Sequence, residues 1–126
     1  LNFTDRCEII ACDMTFDSMY ADLDEKDPYK FMARRLLKSI ANGPSENRIK
    51  ANAKLAEMLK ADGIVWYCHW GCKQTAGASA AAKEYLEAAG YPTLILDGDG
   101  CDSSNVNDGQ TITRMEAFLE LLENRQ

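Results

Sequence analysis

The chain has 126 residues, of which 46% are apolar and 27% charged, enough apolar material for one packed domain and too much for a disordered chain. Its 14 Lys and Arg against 20 Asp and Glu leave a net charge of −6, and the basic residues are scattered, which argues against a nucleic-acid partner. The longest apolar run, Ile64 to Cys68, is far too short to cross a bilayer, and no charged segment leading into an apolar one opens the chain.

Glu8 to Met14 is a short apolar run and reads as a buried strand. Thr15 to Asp27, polar and acidic with Tyr20 and Leu23 interspersed, reads as a long loop. Asp27-Pro28 is a helix start, an N-cap followed by proline at the first helical position. Phe31, Met32, Arg35, Leu36 and Ile40 follow at helical spacing until Gly43-Pro44 stops the run. Ser45 is a candidate cap for a second helix with the stripe Ile49, Ala53, Ala56 and Leu59, and Gly63 is its candidate terminating residue.

Gly63 to His69 is apolar without alternation, the pattern of a strand covered on both faces. Thr75 to Ala89 is an Ala-rich helix closed by Gly90, and Thr93 to Leu96 is a third strand. Asp97 to Gly109 is an acidic, glycine-rich loop, and Ile112, Met115, Leu119 and Leu122 mark a final amphipathic helix. The order β-α-α-β-α-β-α predicts an α/β domain over residues 1–126, a three-layer parallel sheet of about three strands with flanking helices. Three strands are few for a sheet buried on both faces, so either a further strand comes from outside this chain or the unit is small. The first residue is Leu1 rather than Met, which fits a processed chain or a piece of a longer one. In such sheets the functional loops lie beyond the carboxyl ends of the strands, here after Met14, His69 and Leu96.

The five cysteines, an odd number at irregular spacing, do not suggest a secreted disulfide scaffold and predict a reducing, cytoplasmic setting. In Tyr67-Cys68-His69-Trp70-Gly71-Cys72-Lys73-Gln74, Cys72 falls between a strand end and a helix start. The helix dipole and the free amides there favour a thiolate, and Lys73 adds positive charge. Spacing alone leaves Cys72 open between a ligand or reactive role and an ordinary turn residue. Cys68, inside the strand, reads as a core thiol. His69 is the only histidine and reads as a hydrogen-bonded residue at a strand end rather than an acid–base group or ligand. A zinc site from Cys68, His69, Cys72 and Cys101 is disfavoured, because a strand sends alternate residues to opposite faces.

Asp97-Gly98-Asp99-Gly100-Cys101-Asp102 resembles a calcium loop but fails the pattern, with Cys101 and Asp102 where Asn or Asp and Gly are wanted. Thr113 and Glu116 match a capping box, and Gln110 and Arg114, four apart, can share one helix face and clasp the preceding loop. No phosphate-binding glycine motif is present.

His69-Trp70-Gly71-Cys72-Lys73-Gln74, with Lys83-Glu84, Gly90-Tyr91-Pro92, Leu96-Asp97-Gly98-Asp99, Cys101-Asp102, Asn105, Gly109-Gln110 and Thr113-Arg114-Met115-Glu116-Ala117-Phe118-Leu119, resembles the C-terminal region of the 2-hydroxyacyl-CoA dehydratase D-component family, with benzoyl-CoA reductase subunits as relatives. The resemblance is specific from Asp62 to Leu122 and looser before. It implies an α/β subunit that pairs with a paralogous subunit and holds a [4Fe–4S] cluster through cysteines from several parts of the chain. It also implies a separate ATP-dependent iron–sulfur activator that injects one electron, and a CoA-thioester substrate, an (R)-2-hydroxyacyl-CoA, that loses its 2-hydroxyl through a ketyl radical to give the enoyl-CoA.

Carried onto this sequence, the resemblance makes Cys72 the cluster cysteine, with His69, Lys73, Gln74, Gln110 and Arg114 as possible supporting residues. It assigns no role to Cys7, Cys12, Cys68 or Cys101. The family's other cluster cysteines and its acid–base residues lie upstream, in regions this chain lacks. The expectation is therefore a C-terminal lobe that is inactive alone. The alternatives are a benzoyl-CoA reductase-like subunit domain and a non-catalytic binding or assembly module.

Overall fold

The computed structural model describes residues 4–16, 26–105 and 107–125. Helix α1 (Pro28–Lys38) begins as the sequence predicts. Asp27 is its N-cap and accepts from the amides of Tyr29 and Lys30 at 3.1 Å, with Pro28 as the first helical residue. Helix α2 (Ser45–Leu59) takes Pro44 rather than Ser45 as its cap. It ends at Lys60, which adopts the left-handed conformation expected of Gly63. Gly63 is small for a different reason. A Cβ there would lie 2.8 Å from Phe118 Cζ and 2.9 Å from Leu122 Cδ2, so the last helix packs directly against its backbone.

Strand β1 (Ile64–His69), helix α3 (Lys73–Ala88) and strand β2 (Thr93–Gly98) form a βαβ unit. The strands pair in parallel, in a register that runs from Ile64 opposite Thr93 to His69 opposite Gly98. Helix α4 (Asp108–Glu123) follows, capped by Asn107, whose side chain accepts from the Gln110 amide at 3.1 Å. Thr113 therefore lies inside the helix, donating its hydroxyl to the Gly109 carbonyl at 2.9 Å, and does not start a capping box.

One buried cluster joins Ile49 of α2, Trp66 and Cys68 of β1, and Ala78, Ala82 and Leu86 of α3. The alanines let α3 lie close to the strand, and Leu86 fills the space beneath it with no exposed surface. Leu96 of β2 and Phe118 and Leu119 of α4 are buried outside that cluster.

Among the described residues the sheet has two strands, not the expected three, so the architecture shown is a small parallel two-stranded sheet with four helices. The run from Glu8 to Met14 forms no strand: it is irregular up to Cys12 and then enters a short 3-10 turn, Asp13–Phe16. Ile9, Ile10 and Met14 are exposed. What anchors this segment is polar. Asp13 accepts from Arg48 Nε at 2.6 Å and from Asn52 Nδ2 at 3.1 Å, pinning the chain to α2 instead of to a strand edge. Most of the loop expected over Thr15 to Asp27, including Tyr20 and Leu23, lies outside the described residues. Helix α1 buries no side chain, and its Tyr29, Met32, Leu36 and Leu37 are exposed. No helix among the described residues is long and apolar enough to cross a membrane.

Asp13 yields a pH prediction. Burial pushes its carboxyl up, but hydrogen bonds from Arg48 and Asn52 outweigh that and hold it below the ordinary aspartate value. A carboxyl depressed on folding stabilises the fold above its unfolded pKa, and that contribution is lost as pH falls through the folded value. Asp13→Asn should therefore reduce stability by about 1–2 kcal/mol at neutral pH, and by progressively less in acid. Urea titrations at pH ~7 and pH ~3 check this; a difference unchanged between them would contradict the pairing.

Candidate functional site

The parallel register brings the carboxyl ends of β1 and β2 side by side, and the loops that leave them carry most of the chemistry-bearing side chains. The backbone holds the two ends together: the Trp70 amide donates to the Gly98 carbonyl at 2.9 Å. Gly71 has φ +79°, a turn that sends the chain from β1 into α3.

Cys72 is the residue at that turn. It is the N-cap of α3, which starts at Lys73, two residues before the start read from the sequence. The thiol is partly exposed. The Thr75 hydroxyl and then the Thr75 amide lower its pKa, partial burial opposes them, and the Gln74 amide and the Arg48 charge add to the lowering. The site thus favours a thiolate. Peptide-resolved alkylation with iodoacetamide should show Cys72 reacting along a titration that lies below that of a free cysteine. Titration at or above the free-cysteine range would contradict the site's electrostatics.

Beneath Cys72 lies a supporting chain of contacts. Trp66 Nε1 donates to the Thr75 carbonyl at 3.0 Å, tying β1 to the first turn of α3. The Arg48 guanidinium sits over the Trp66 ring, 5.2 Å from its centroid, while it binds Asp13. Cys68 is buried on the same strand, its Sγ donating to the Thr75 carbonyl at 3.5 Å, and desolvation pushes its thiol pKa up. It is the core thiol the sequence suggests.

The other predicted site residues divide. Gln74 Nε2 donates to the Ala41 carbonyl at 2.9 Å, binding the turn between α1 and α2 to the start of α3. Lys73 is exposed on the first turn. Arg114 donates to Asp97 Oδ1 at 3.2 Å and to the Ile95 carbonyl, which fastens α4 to β2. The clasp expected for Arg114 on the preceding loop falls instead on the strand, since Asp97 belongs to β2. The Gln110 side chain is exposed, and its backbone amide serves the cap.

His69 is hydrogen-bonded at the strand end, as expected: the Gly100 amide donates to its Nδ1 at 3.0 Å. Its Nδ1 also lies 3.8 Å from Asp99 Oδ1. Asp99 is held by the loop itself, accepting from the amides of Cys101 at 2.9 Å and Asp102 at 3.3 Å and from Asn105 Nδ2 at 3.0 Å. The Asn105 amide group, more than any other, keeps its carboxyl below the ordinary range. Side-chain donor atoms of His69, Asp99 and Cys101 all lie within 4.8 Å of one another. The sequence reading placed His69 and Cys101 only in a disfavoured zinc set with Cys68 and Cys72 and did not join Asp99 to them. The signal available was the pairing of the two strand ends.

A single thiolate cannot hold a cubane cluster, so the donors near Cys72 decide whether one fits. Cys68, the thiol nearest Cys72 along the chain, is buried in the core and directed at the Thr75 carbonyl. A cubane at Cys72 would thus draw on thiols other than the core-bound Cys68.

The fold is an α/β arrangement, a parallel βαβ unit that presents a thiolate-prone cysteine between strand end and helix start. The chain belongs to the 2-hydroxyglutaryl-CoA dehydratase, D-component family, whose model matches residues 3–122. It is 27% identical over 113 residues to the alpha subunit of (R)-2-hydroxyglutaryl-CoA dehydratase from Acidaminococcus fermentans, covering 86% of this chain and 22% of that subunit. It is 26% identical over 93 residues to the alpha subunit of lactoyl-CoA dehydratase from Anaerotignum propionicum, covering 73% of this chain and 22% of that one. The chain thus spans about a fifth of the length of the curated relatives it matches. No solved structure matches it.

Proposed function

We propose that this chain is a C-terminal lobe of a cytoplasmic 2-hydroxyacyl-CoA dehydratase subunit, and that Cys72 supplies one thiolate ligand to a [4Fe–4S] cluster completed by residues outside the lobe. The observation that carries the reading is the family match over residues 3–122, which contains the thiolate-favouring turn at Cys72. When bound, such a cluster supplies one-electron chemistry toward the thioester of an (R)-2-hydroxyacyl-CoA. This chain's part is to hold the Cys72 thiolate at a fixed position. Thr75 and Gln74 favour its charge, Trp66 anchors the turn from below, and Gln74 and Arg114 brace the adjoining segments. No acid–base residue of the reaction is assigned to this lobe.

The exposed apolar side chains agree with a lobe that docks on more protein. Ile9, Ile10 and Met14, together with Tyr29, Leu36 and Leu37 of α1, are more than half exposed. In this reading they are covered by the remainder of the subunit or by the paralogous subunit, and a further strand completes a three-layer sheet. An ATP-dependent iron–sulfur activator would deliver the electron.

The isolated chain tests the claim that the site is incomplete. After anaerobic reconstitution and desalting, it should retain little iron and acid-labile sulfide, and Cys72→Ser should retain no less. Near-stoichiometric iron and sulfide in the wild-type chain, lost in Cys72→Ser, would mean that its own cysteines complete the cluster.

A further inference from the structure

We propose that His69, Asp99 and Cys101 form a second site, separate from Cys72, that binds a divalent transition cation of the zinc class. The three residues come from two chain segments, the end of β1 and the loop after β2. The pairing of His69 with Gly98 sets them side by side. Their donor atoms lie within 4.8 Å of one another. In a tetrahedral site with bonds of about 2.0–2.3 Å, donors sit roughly 3.5 Å apart, so closure needs a movement on the order of 1 Å. Gly98 and Gly100 flank Asp99 in the segment that must move.

Two of the three donors, Asp99 and His69, are already held by hydrogen bonds. The Asp99 carboxylate accepts from the Cys101 and Asp102 amides on Oδ1 and from Asn105 on Oδ2. Oδ1 is filled by its two donors, while Oδ2 retains a lone pair for another partner, and fixed outer contacts of this kind orient a ligating carboxylate. The His69 Nδ1 lone pair accepts from the Gly100 amide, which places the imidazole proton on Nε2. A cation binding at Nδ1 takes the place of that amide hydrogen. Coordination of Cys101 forms a metal–sulfur bond and releases the thiol proton to solvent, with no change of oxidation state.

Nitrogen, oxygen and sulfur donors together suit zinc and its neighbours and do not suit calcium or magnesium, which agrees with the failure of the calcium pattern in this loop. Three protein ligands leave a fourth position for water or an incoming oxygen donor. The proposal does not rest on the cluster reading, since Cys72 is not one of the converging donors.

Cobalt(II) is the probe. Added anaerobically to the chain, it should bind one equivalent and produce a thiolate-to-cobalt charge-transfer absorption that Zn2+ abolishes by displacement. The band should persist in Cys72→Ser and disappear in Cys101→Ser, and His69→Gln should weaken binding by about tenfold or more. The Gly100 amide resonance should shift when Zn2+ is added to the wild-type chain. Cys101 is exposed, so its variant is expected to keep the wild-type circular dichroism, which is recorded alongside. The proposal is overturned if the wild-type chain shows no charge-transfer band, if the band survives Cys101→Ser, or if it is lost in Cys72→Ser.

Discussion

Leu86→Ala is expected to destabilise the chain by about 3 kcal/mol and to lower its Tm by on the order of 10 °C. Leu86 has no exposed surface and sits in the cluster formed by Ile49, Trp66, Cys68, Ala78 and Ala82. Its neighbours on α3 are alanines, which have no side chain to swing into the space left behind, so the cavity persists and its cost adds to the lost burial. A domain of this size has only about 5–15 kcal/mol to lose. Because α3 carries Cys72 at its N-cap, the same substitution should also loosen the turn that holds the thiolate. Chemical denaturation measures the first effect. A loss below about 1 kcal/mol would mean that α3 does not pack on β1 as described.

Arg48→Ala should reduce stability by about 2–3 kcal/mol. The Arg48 and Asp13 side chains are only 17% and 13% exposed, so removing the guanidinium leaves a carboxylate with little access to water. It also uncovers the Trp66 ring. The double variant Asp13→Asn with Arg48→Ala should be less destabilised than the sum of the two single changes, because it removes the orphaned charge. Loss of the Arg48 charge should also shift alkylation of Cys72 toward higher pH, since that charge helps to lower the thiol's pKa. Strict additivity in the double variant would show that the ion pair does not couple the opening segment to α2.

The elements set by local chemistry were legible in the sequence. Asp27-Pro28 announces α1 because capping and the fixed proline φ act over a few residues, and the run to His69 announces β1 because its apolar residues are continuous. Cys68 as a core thiol follows from its similarly local placement within that strand. The opening strand was misread because an apolar run reports a tendency to burial and not a pairing partner. Asp13 is committed to Arg48 and Asn52, which lie 35 and 39 residues away. The start of α4 was read too late for a related reason, since Asn107 caps the helix before the Thr113 pattern is reached. At the candidate site, the place of Cys72 between strand and helix was readable, whereas the approach of Asp99 and Cys101 to His69 depends on the parallel register, a long-range property.

We propose that Cys72 donates one ligand to a cluster whose other ligands lie elsewhere in the subunit. The most direct test is the iron and acid-labile sulfide content of the anaerobically purified full-length subunit, compared with that of its Cys72→Ser variant. The wild-type subunit should hold a cluster, and the variant should show a marked loss of iron and sulfide with folding retained. Equal iron and sulfide in both proteins would contradict it.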